Sequence, residues 1–187
     1  PLMHVLYNME KEGFCVSEDE LLKLKNEYEE KINALTAEIY LLAGSEFNIN
    51  SPKQLGKVLF EDLKLPVIKK KKTGYSTDIE VLEKLAEISP VAEKIIEFRQ
   101  FSKLKSTYVD GLLNVIKKGR VHTTFLQTAT QTGRLSSVEP NLQNIPIKSD
   151  MANDIRRVFT APKGYKIISA DYSQIELRLL AHIADDE

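Results

Sequence analysis

The stretch SEDELLKLKNEYEEKINALTAEIYLLAG, residues 17–44, predicts the longest helix of this chain. Ser17 and Glu20 have the spacing of a capping box, in which the hydroxyl accepts a backbone N–H and the glutamate bonds back to the cap. Gly44 predicts the end of the helix. The apolar residues between these signals recur at steps of three and four, which places them on one stripe: Leu21, Leu24, Tyr28, Ile32, Leu35, Ile39 and Leu42.

A second long amphipathic helix is predicted downstream. Ser89 and Pro90 would start it, because proline at the first helical position has no N–H that needs a partner. The helical spacing continues to about Lys118. Its apolar stripe consists of Ile95, Phe98, Phe101, Leu104, Tyr108, Leu112 and Val115.

Two shorter helices and a basic loop, residues 66–76, are predicted between the long helices. Ser51 and Pro52 would start the first short helix. Thr77 and Glu80 have the spacing of a capping box for the second. Long helices joined in this way predict an antiparallel helical hairpin.

The flanking segments add strands to this helical part. Residues 2–12 predict a helix that Gly13 ends. Residues 120–125 alternate like a strand, residues 153–159 resemble a short helical turn, and residues 166–170 predict a buried strand. The fold class is therefore predicted to be α+β and multi-domain, with a long antiparallel helical hairpin and a partial α+β part.

Composition limits the class of protein. The chain has 187 residues, of which 42% are hydrophobic and 28% charged, so a packed core is expected and disorder is not. No apolar run has the length of a membrane span, and the N-terminus lacks a signal-peptide pattern. Cys15 is the single cysteine, which excludes an internal disulfide. Both ends of the sequence resemble cut elements, so we expect a fragment of a larger protein.

The charges are grouped rather than balanced locally. The net charge is −1, which argues mildly against a nucleic-acid binder. However, residues 69–72 are four consecutive lysines, and two further basic groups lie at residues 99–105 and 117–120. Separated patches of one sign can bind an anion at zero net charge. Ordinary solvated loops are the alternative interpretation.

Asp171 follows the predicted strand and precedes a predicted helix. Ser173 and Glu176 would cap that helix. Backbone N–H groups at a helix start favour a negative charge, so Asp171 is expected to be ionised and suited to a hard divalent cation. The spacing leaves two interpretations of Glu176 open: a helix cap, or a carboxylate that faces a metal ion or a substrate.

Two other regions could contact a nucleic acid. Residues 128–137 and 140–146 are dense in hydroxyls and amides, which suit phosphates, sugars and the acceptors of the minor groove. Residues 47–55 and 69–77 lead into helix starts, where hydroxyls and lysines bind phosphate. Loops that satisfy their own backbone, with ordinary caps, are the alternative for both regions.

Taken together, these stretches resemble the family A DNA polymerases, the bacterial DNA polymerase I family. The main motifs are DYSQIELR at residues 171–178, QTATQTGRLSS at 127–137 and PNLQNIP at 140–146. The supporting motifs are FNINS at 47–51, KTGYST at 72–77 and KLKSTY at 103–108. They follow the order of the family and span nearly the whole chain.

The resemblance implies a domain division. Residues 1–16 would be an N-terminal helix and link that packs with the palm, residues 17–117 the thumb that grips the primer–template duplex, and residues 118–187 the beginning of the palm. The parent protein would be a DNA-directed DNA polymerase. The family's fingers and its HisAspGlu carboxylate are not found in this sequence, so the chain alone is expected to be inactive. A non-catalytic DNA-binding module that retains the thumb is the alternative.

The resemblance also assigns the nucleotidyl-transfer site. Asp171 matches the aspartate that binds catalytic metal, with the backbone carbonyl of Tyr172 beside it. Two Mg²⁺ ions would activate the primer 3′-hydroxyl and stabilise the leaving pyrophosphate. Glu176 matches the glutamate that excludes a ribose 2′-hydroxyl, and Ser173 and Gln174 would lie near the incoming deoxynucleoside triphosphate.

The remaining matched residues would contact DNA. Arg134 matches the arginine at the primer end in the minor groove, and the other positions match contacts to the duplex, the phosphates or the strand along the thumb helix. The expected partners are primer–template DNA and deoxynucleoside triphosphates, without a membrane, in a cytoplasmic monomer. The other positions are Asn48, Asn50, Ser51, Ser76, Thr77, Arg99, Lys103, Asn141, Gln143 and Asn144.

Overall fold

The structure is a computed structural model that describes residues 1–71, 74–146 and 150–185, with the side chains of residues 150–152 left out. Lys72 of the lysine run therefore lies outside the described residues. The same holds for the last two residues of the chain.

The first helix, α1 (Leu2–Glu12), ends at Gly13 as predicted. Gly13 has φ 67°, and an added Cβ would lie 2.6 Å from the ring of His122, so both conformation and space require glycine. Strand β1 (Phe14–Cys15) follows directly. The Glu10 carboxylate accepts a hydrogen bond of 2.6 Å from the backbone N–H of Phe125, which ties α1 to the strands that follow the helical hairpin.

Helix α2 (Glu18–Ala43) confirms the longest predicted helix. The Ser17 hydroxyl accepts a hydrogen bond of 3.3 Å from the backbone N–H of Glu20, which satisfies one of the free N–H groups of the first turn. Gly44 closes the helix in the left-handed conformation, with φ 71°.

Two short helices connect α2 with the second long helix. The Ser51 hydroxyl caps the first of them by accepting from the Gln54 N–H at 3.4 Å. The predicted cap of the second is wrong: Asp78 is the N-cap residue, and the Thr77 hydroxyl accepts from Arg99 instead. The elements are α3 (Pro52–Lys57), continued by a π-helical turn (Val58–Asp62), strands β2 (Lys70–Lys71) and β3 (Gly74–Tyr75), and α4 (Ile79–Ala86).

The second long helical run consists of α5 (Pro90–Lys103), a π-helical segment (Leu104–Asp110) and α6 (Gly111–Val115). It ends slightly before the predicted Lys118. Its partners on α2 show that the two runs are antiparallel, since higher numbers on one run meet lower numbers on the other. Lys94 pairs with Glu38 at 2.9 Å, whereas Lys105 pairs with Glu29 at 3.1 Å.

The helical hairpin, residues 17–117, contributes to two separate hydrophobic cores. The tip core joins the second half of α2 with α3, α4 and α5; its fully buried side chains are Ile39, Leu55, Leu59, Leu82, Leu85, Ala92 and Ile95. The base core joins the other ends of both long helical runs with residues 16, 121, 155 and 158; it includes Leu21, Tyr28 and Val109. Each buried Leu or Ile contributes roughly 1.5–3 kcal/mol of transfer free energy.

The described strands form three small antiparallel pairs: β1 with β4 (Arg120–Val121), β2 with β3, and β5 (Thr124–Leu126) with β6 (Ser136–Val138). The prediction of a helix-rich α+β fold is confirmed. The elements after the hairpin are β4 (Arg120–Val121), β5 (Thr124–Leu126), β6 (Ser136–Val138), α7 (Asp150–Arg157) and α8 (Ile175–Ala184).

The predicted buried strand at residues 166–170 is wrong. This segment has no strand pairing, and all of residues 162–170 are exposed, with Ile168 89% exposed. A β-strand pairs its N–H and C=O groups with a neighbouring strand, whereas an exposed segment can leave them to water. The strands that the structure describes pair elsewhere, so hydrophobicity alone does not make this segment a strand.

The predicted Ser173–Glu176 cap is also wrong. Helix α8 begins at Ile175, and its N-cap residue is Gln174 in the left-handed conformation, with φ 49° and no side-chain hydrogen bond. Every residue of α8 is at least partly exposed. The start of this helix therefore lacks the hydroxyl cap that Ser17 provides for α2.

Candidate nucleic-acid interface and metal-binding aspartate

The turn between α2 and α3 carries the first predicted DNA contacts. The side-chain oxygen of Asn48 accepts from the N–H of Asn50 at 3.0 Å, and the Asn48 N–H donates to Gln54 at 2.7 Å. These bonds build the turn, while Asn48 and Asn50 remain exposed. Ser51 is half-buried, and its hydroxyl serves the cap of α3.

The lysine segment, residues 69–71 and 74–75, lies on the same end of the hairpin. Its strands pair Lys70 with Tyr75 and Lys71 with Gly74. The Tyr75 ring packs 4.9 Å from the Phe60 ring, and a Cβ on Gly56 would lie 3.2 Å from the Tyr75 Cβ. Glycine at position 56 therefore allows the segment to approach α3 closely. The described lysines of the segment are exposed, so they present positive charge at the tip.

Ser76 and Thr77 face inward, contrary to the simple expectation of exposed hydroxyls. Ser76 is 0% exposed and Thr77 is 6% exposed. The Ser76 hydroxyl accepts from the Asp78 N–H at 3.4 Å, and the Thr77 hydroxyl accepts from the Arg99 guanidinium at 3.2 Å. Their side chains therefore stabilise the protein in this conformation.

Arg99 and Lys103 lie one turn apart on α5 but differ in environment. Arg99 is half-buried, and this burial lowers the pKa of its guanidinium, while the nearby Asp78 opposes the shift. The Arg99 side chain also donates to the Thr77 carbonyl at 2.5 Å. Lys103 is exposed. Of the two predicted strand contacts, Lys103 is the accessible cation.

Arg134 lies in the polar loop between β5 and β6. Its side chain is 77% exposed, and its guanidinium is 3.4 Å from the carboxylate of Glu176. The Thr130 hydroxyl donates to the Arg134 carbonyl at 2.7 Å and so shapes the loop. The structure thus brings together the residue predicted at the primer end and the residue predicted to exclude a 2′-hydroxyl.

The predicted amide set follows β6, and its members also serve their own loop. Gln143 accepts from the Ser137 N–H at 3.2 Å and donates to the Leu135 carbonyl at 3.1 Å. The Asn141 side chain accepts from the Gln143 N–H at 3.0 Å. The Asn144 carbonyl accepts a hydrogen bond from the Tyr108 hydroxyl, which connects the loop to the π-helical segment.

A buried hydroxyl pair beneath this loop was missed by the sequence reasoning. Thr123 and Ser137 are buried, and their hydroxyl oxygens lie 2.6 Å apart. Thr123 also donates to the Pro140 carbonyl at 2.8 Å, and Ser137 accepts from the Leu142 N–H at 3.0 Å. The predicted single strand at residues 120–125 is instead divided into β4 and β5, and Thr123 lies between them. The alternation of this segment still holds a usable signal, because it puts Thr123 two positions after buried Val121.

Asp171 is exposed, and its carboxylate accepts from the Tyr172 N–H at 2.9 Å. Asp171 precedes helix α8, which starts at Ile175, but no described strand leads into it. Within the described residues, no cluster of three or more His, Cys, Asp or Glu side chains could hold a metal ion. Asp171 has a carboxylate and Tyr172 a backbone carbonyl, and oxygen ligands are the kind that hard cations prefer.

Comparison with known proteins decides the family. The sequence profile described as DNA polymerase family A matches residues 18–187. The chain belongs to DNA polymerase family A. The family prediction made from the motifs is therefore confirmed.

Two curated relatives of this family A chain are bacterial DNA polymerases I. DNA polymerase I of Caldicellulosiruptor bescii is 57% identical over 189 residues, which cover 100% of this chain and 22% of the relative. DNA polymerase I of Bacillus subtilis is 51% identical, with 100% and 22% covered. The chain thus spans about a fifth of the length of the curated relatives it matches.

A solved structure of a polymerase domain has the same fold as this chain. The POL domain of Pol1 from M. smegmatis, in complex with DNA primer-template and dNTP, matches with a TM-score of 0.86 and 44% identity. The match covers 97% of this family A chain and 32% of that domain. Among the helices that the structure describes, none is both long and apolar enough to cross a membrane.

Proposed function

We propose that this family A chain is the thumb and first palm portion of a DNA-directed DNA polymerase, which transfers a nucleotide from a deoxynucleoside triphosphate to a primer 3′-hydroxyl. The observation that carries the proposal is the similarity along 97% of the chain to a polymerase domain in complex with DNA primer-template and dNTP. By itself the chain is proposed to be inactive, because it supplies one of the carboxylates that two-metal chemistry requires.

The helical hairpin, residues 17–117, is proposed to grip the duplex. Exposed Asn48, Asn50 and Lys103 and the lysine segment would contact phosphates, which makes binding weaken as salt rises. The side chains of Ser51, Ser76 and Thr77 stabilise the turns at the tip of the hairpin. Their contribution to DNA binding would therefore come from the backbone N–H groups of those turns.

The loop that follows β5 is proposed to lie along the minor groove near the primer end. Arg134 is exposed and carries five N–H donors, and minor-groove acceptors occur on every base pair, so it would hold the duplex without reading its sequence. The same groove would also be contacted by Asn141, Gln143 and Asn144. The hydrogen bonds that these residues make within their own loop fix its shape.

Asp171 and the Tyr172 carbonyl are proposed to hold a divalent cation, Mg²⁺, with two such ions in the complete enzyme. A Mg²⁺ ion usually takes only one or two protein carboxylates and fills its shell with water and phosphate, so the exposed carboxylate fits this use. The bound ions would supply charge stabilisation at the primer hydroxyl and the departing pyrophosphate. Ser173, Gln174 and Glu176 are proposed to face the incoming nucleotide, with Glu176 excluding a ribose 2′-hydroxyl.

Primer extension by the complete gene product tests this proposal. Asp171→Asn removes the negative charge but preserves shape, so Mg²⁺-dependent extension should fall more than about 100-fold, beyond the effect of losing an outer-shell partner. Duplex binding should be retained. Asp185→Asn, an exposed carboxylate at the end of α8, is the matched control and should extend like the wild type. Extension by Asp171→Asn near the wild-type rate would disprove the proposed role.

A non-catalytic DNA-binding module is the second candidate, favoured by the lack of a carboxylate cluster within the described residues. In that case the complete gene product would bind primer–template DNA with a salt-dependent affinity. It would nevertheless extend no primer with any divalent cation. The same extension assay therefore separates the two candidates.

A further inference from the structure

Arg99 reaches from α5 to the turn before α4, twenty-two positions earlier in the chain. One nitrogen of its guanidinium donates to the Thr77 carbonyl at 2.5 Å, and the other donates to the Thr77 hydroxyl at 3.2 Å. Thr77 is only 6% exposed. The planar fork of arginine is therefore used inside the protein, on both oxygens of one residue.

The same turn is connected to two lysines of the lysine segment, Lys69 and Lys71. The Ser76 N–H donates to the Lys69 carbonyl at 3.1 Å, and Ser76 is 0% exposed. The Asp78 carboxylate pairs with the Lys71 ammonium at 2.6 Å. Ser76 and Asp78 flank Thr77 in the sequence. A contact that fixes Thr77 therefore also restricts the position of the lysine segment, to which both neighbours are bonded.

We propose that Arg99 is a positioning residue, which holds Thr77 and thereby presents the lysine segment to the phosphates of bound DNA. This inference rests on the duplex binding proposed above. It differs from the role expected from the family resemblance, in which Arg99 itself lies against the strand. Exposed Lys103, one turn farther along α5, is the direct contact on this helix.

The alternative, in which Arg99 swings out to a phosphate, is disfavoured by the turn it would leave. The Thr77 carbonyl and hydroxyl would lose the donors that the structure shows for them, within a turn that is almost fully buried. A buried acceptor without a partner is unfavourable. A lysine at position 99 would keep the charge but lose the two-pronged geometry.

The two roles predict different behaviour of Arg99→Lys in the complete gene product. If Arg99 positions the segment, this variant should bind primer–template DNA roughly 5- to 20-fold more weakly despite its unchanged charge. Thr77→Val, which removes only the hydroxyl, should weaken binding in the same direction by a smaller factor. The double variant should be no weaker than Arg99→Lys, because residues of one contact are not additive.

Lys103→Gln is the matched control. As a direct contact it should lower the salt slope of log Kd by about one unit, and its effect should add to that of Thr77→Val. Affinity would be measured by fluorescence anisotropy over a range of salt concentrations. If Arg99→Lys binds like the wild type, or its effect simply adds to that of Thr77→Val, Arg99 is a phosphate contact and the inference is wrong.

Hydrogen exchange without DNA separates this inference from the proposed function. In Arg99→Lys, amides of residues 69–71 and 74–78 should exchange faster, while those of α2 keep their protection and show that the fold is intact. Unchanged exchange in the tip would overturn the positioning role. Failure of the wild type to bind duplex DNA would overturn the proposed function, whereas the exchange result would still decide whether Arg99 holds the turn.

Discussion

The helical hairpin and residues 160–185 both have amphipathic sequences, but the burial of their apolar side chains differs. In the tip core of the hairpin, Leu82 and Ile95 are completely buried. In the later segment, Ile168 is 89% exposed and Ile183 is 80% exposed. The hairpin contains both surfaces of its tip core, whereas no residue of the later segment is buried. Hydrophobic patterning therefore predicts a packed element only where a partner surface is present.

The polar contacts of the two regions also differ in how far they are exposed to solvent. The hairpin has hydroxyl caps at Ser17 and Ser51, and half-buried Arg99 bonds to Thr77. The later segment meets the polar loop through the pair between Arg134 and Glu176, whose side chains are 77% and 73% exposed. An exposed ion pair contributes only about 0–1 kcal/mol, so it holds this segment weakly.

The largest expected difference between the regions is in core truncation. Leu82→Ala should lower the free energy of unfolding by about 2–5 kcal/mol, because it removes buried methyl groups and leaves a cavity in the tip core. Ile168→Ala should change it by less than about 0.5 kcal/mol, because its side chain is in solvent. Urea unfolding followed by circular dichroism measures both. Equal losses would mean that residues 160–185 are packed as firmly as the hairpin.

A smaller effect is expected from high pH at the base core. Burial, followed by the charges of Asp154 and Glu27, raises the pKa of Tyr28 from its ordinary value of 10.0 to about 12. The folded state therefore keeps a proton that the unfolded state loses. The resulting stabilisation is complete below pH 10 and disappears as the pH rises through 12, a loss of about 3 kcal/mol for two pKa units at 1.36 kcal/mol each.

Two Tyr→Phe variants isolate this contribution. Tyr28→Phe should flatten the decline of stability between pH 10 and 12, since the group that retains its proton is gone. Tyr165→Phe should leave the decline unchanged, because Tyr165 is 75% exposed in the later segment. Unfolding curves at several pH values compare the three proteins. A decline that is the same in wild type and Tyr28→Phe would show that Tyr28 is not the group responsible.

The parts of the fold that depend on local signals could be predicted from the sequence. The ends of α2 and the antiparallel pairing of the two long helical runs agree with the structure. Caps, stops and helical stripes are encoded by neighbours within a few positions. The π-helical segments, Val58–Asp62 and Leu104–Asp110, were not predicted, because no apolar spacing distinguishes them from ordinary helix.

The candidate site was harder to predict, because burial decides what its polar groups do. The motifs locate Arg134, Glu176 and Asp171 in the chain, but only the fold brings Arg134 next to Glu176. Ser76 and Thr77 have the residue types of phosphate contacts, yet Arg99, from a distant part of the sequence, occupies the Thr77 oxygens. Such tertiary competition has no signature in local spacing.

The smallest expected effect compares two serines that the sequence places in the same capping pattern. Ser17→Ala should cost about 1 kcal/mol of stability, because the hydroxyl accepts the Glu20 N–H at the start of α2. Ser173→Ala should cost less than about 0.5 kcal/mol, because α8 begins after Gln174 without a side-chain cap. Thermal unfolding of both variants, with wild type in parallel, provides the measurement. A cost of about 1 kcal/mol at Ser173 would mean that this serine caps the helix after all, and that the start of α8 follows the local pattern.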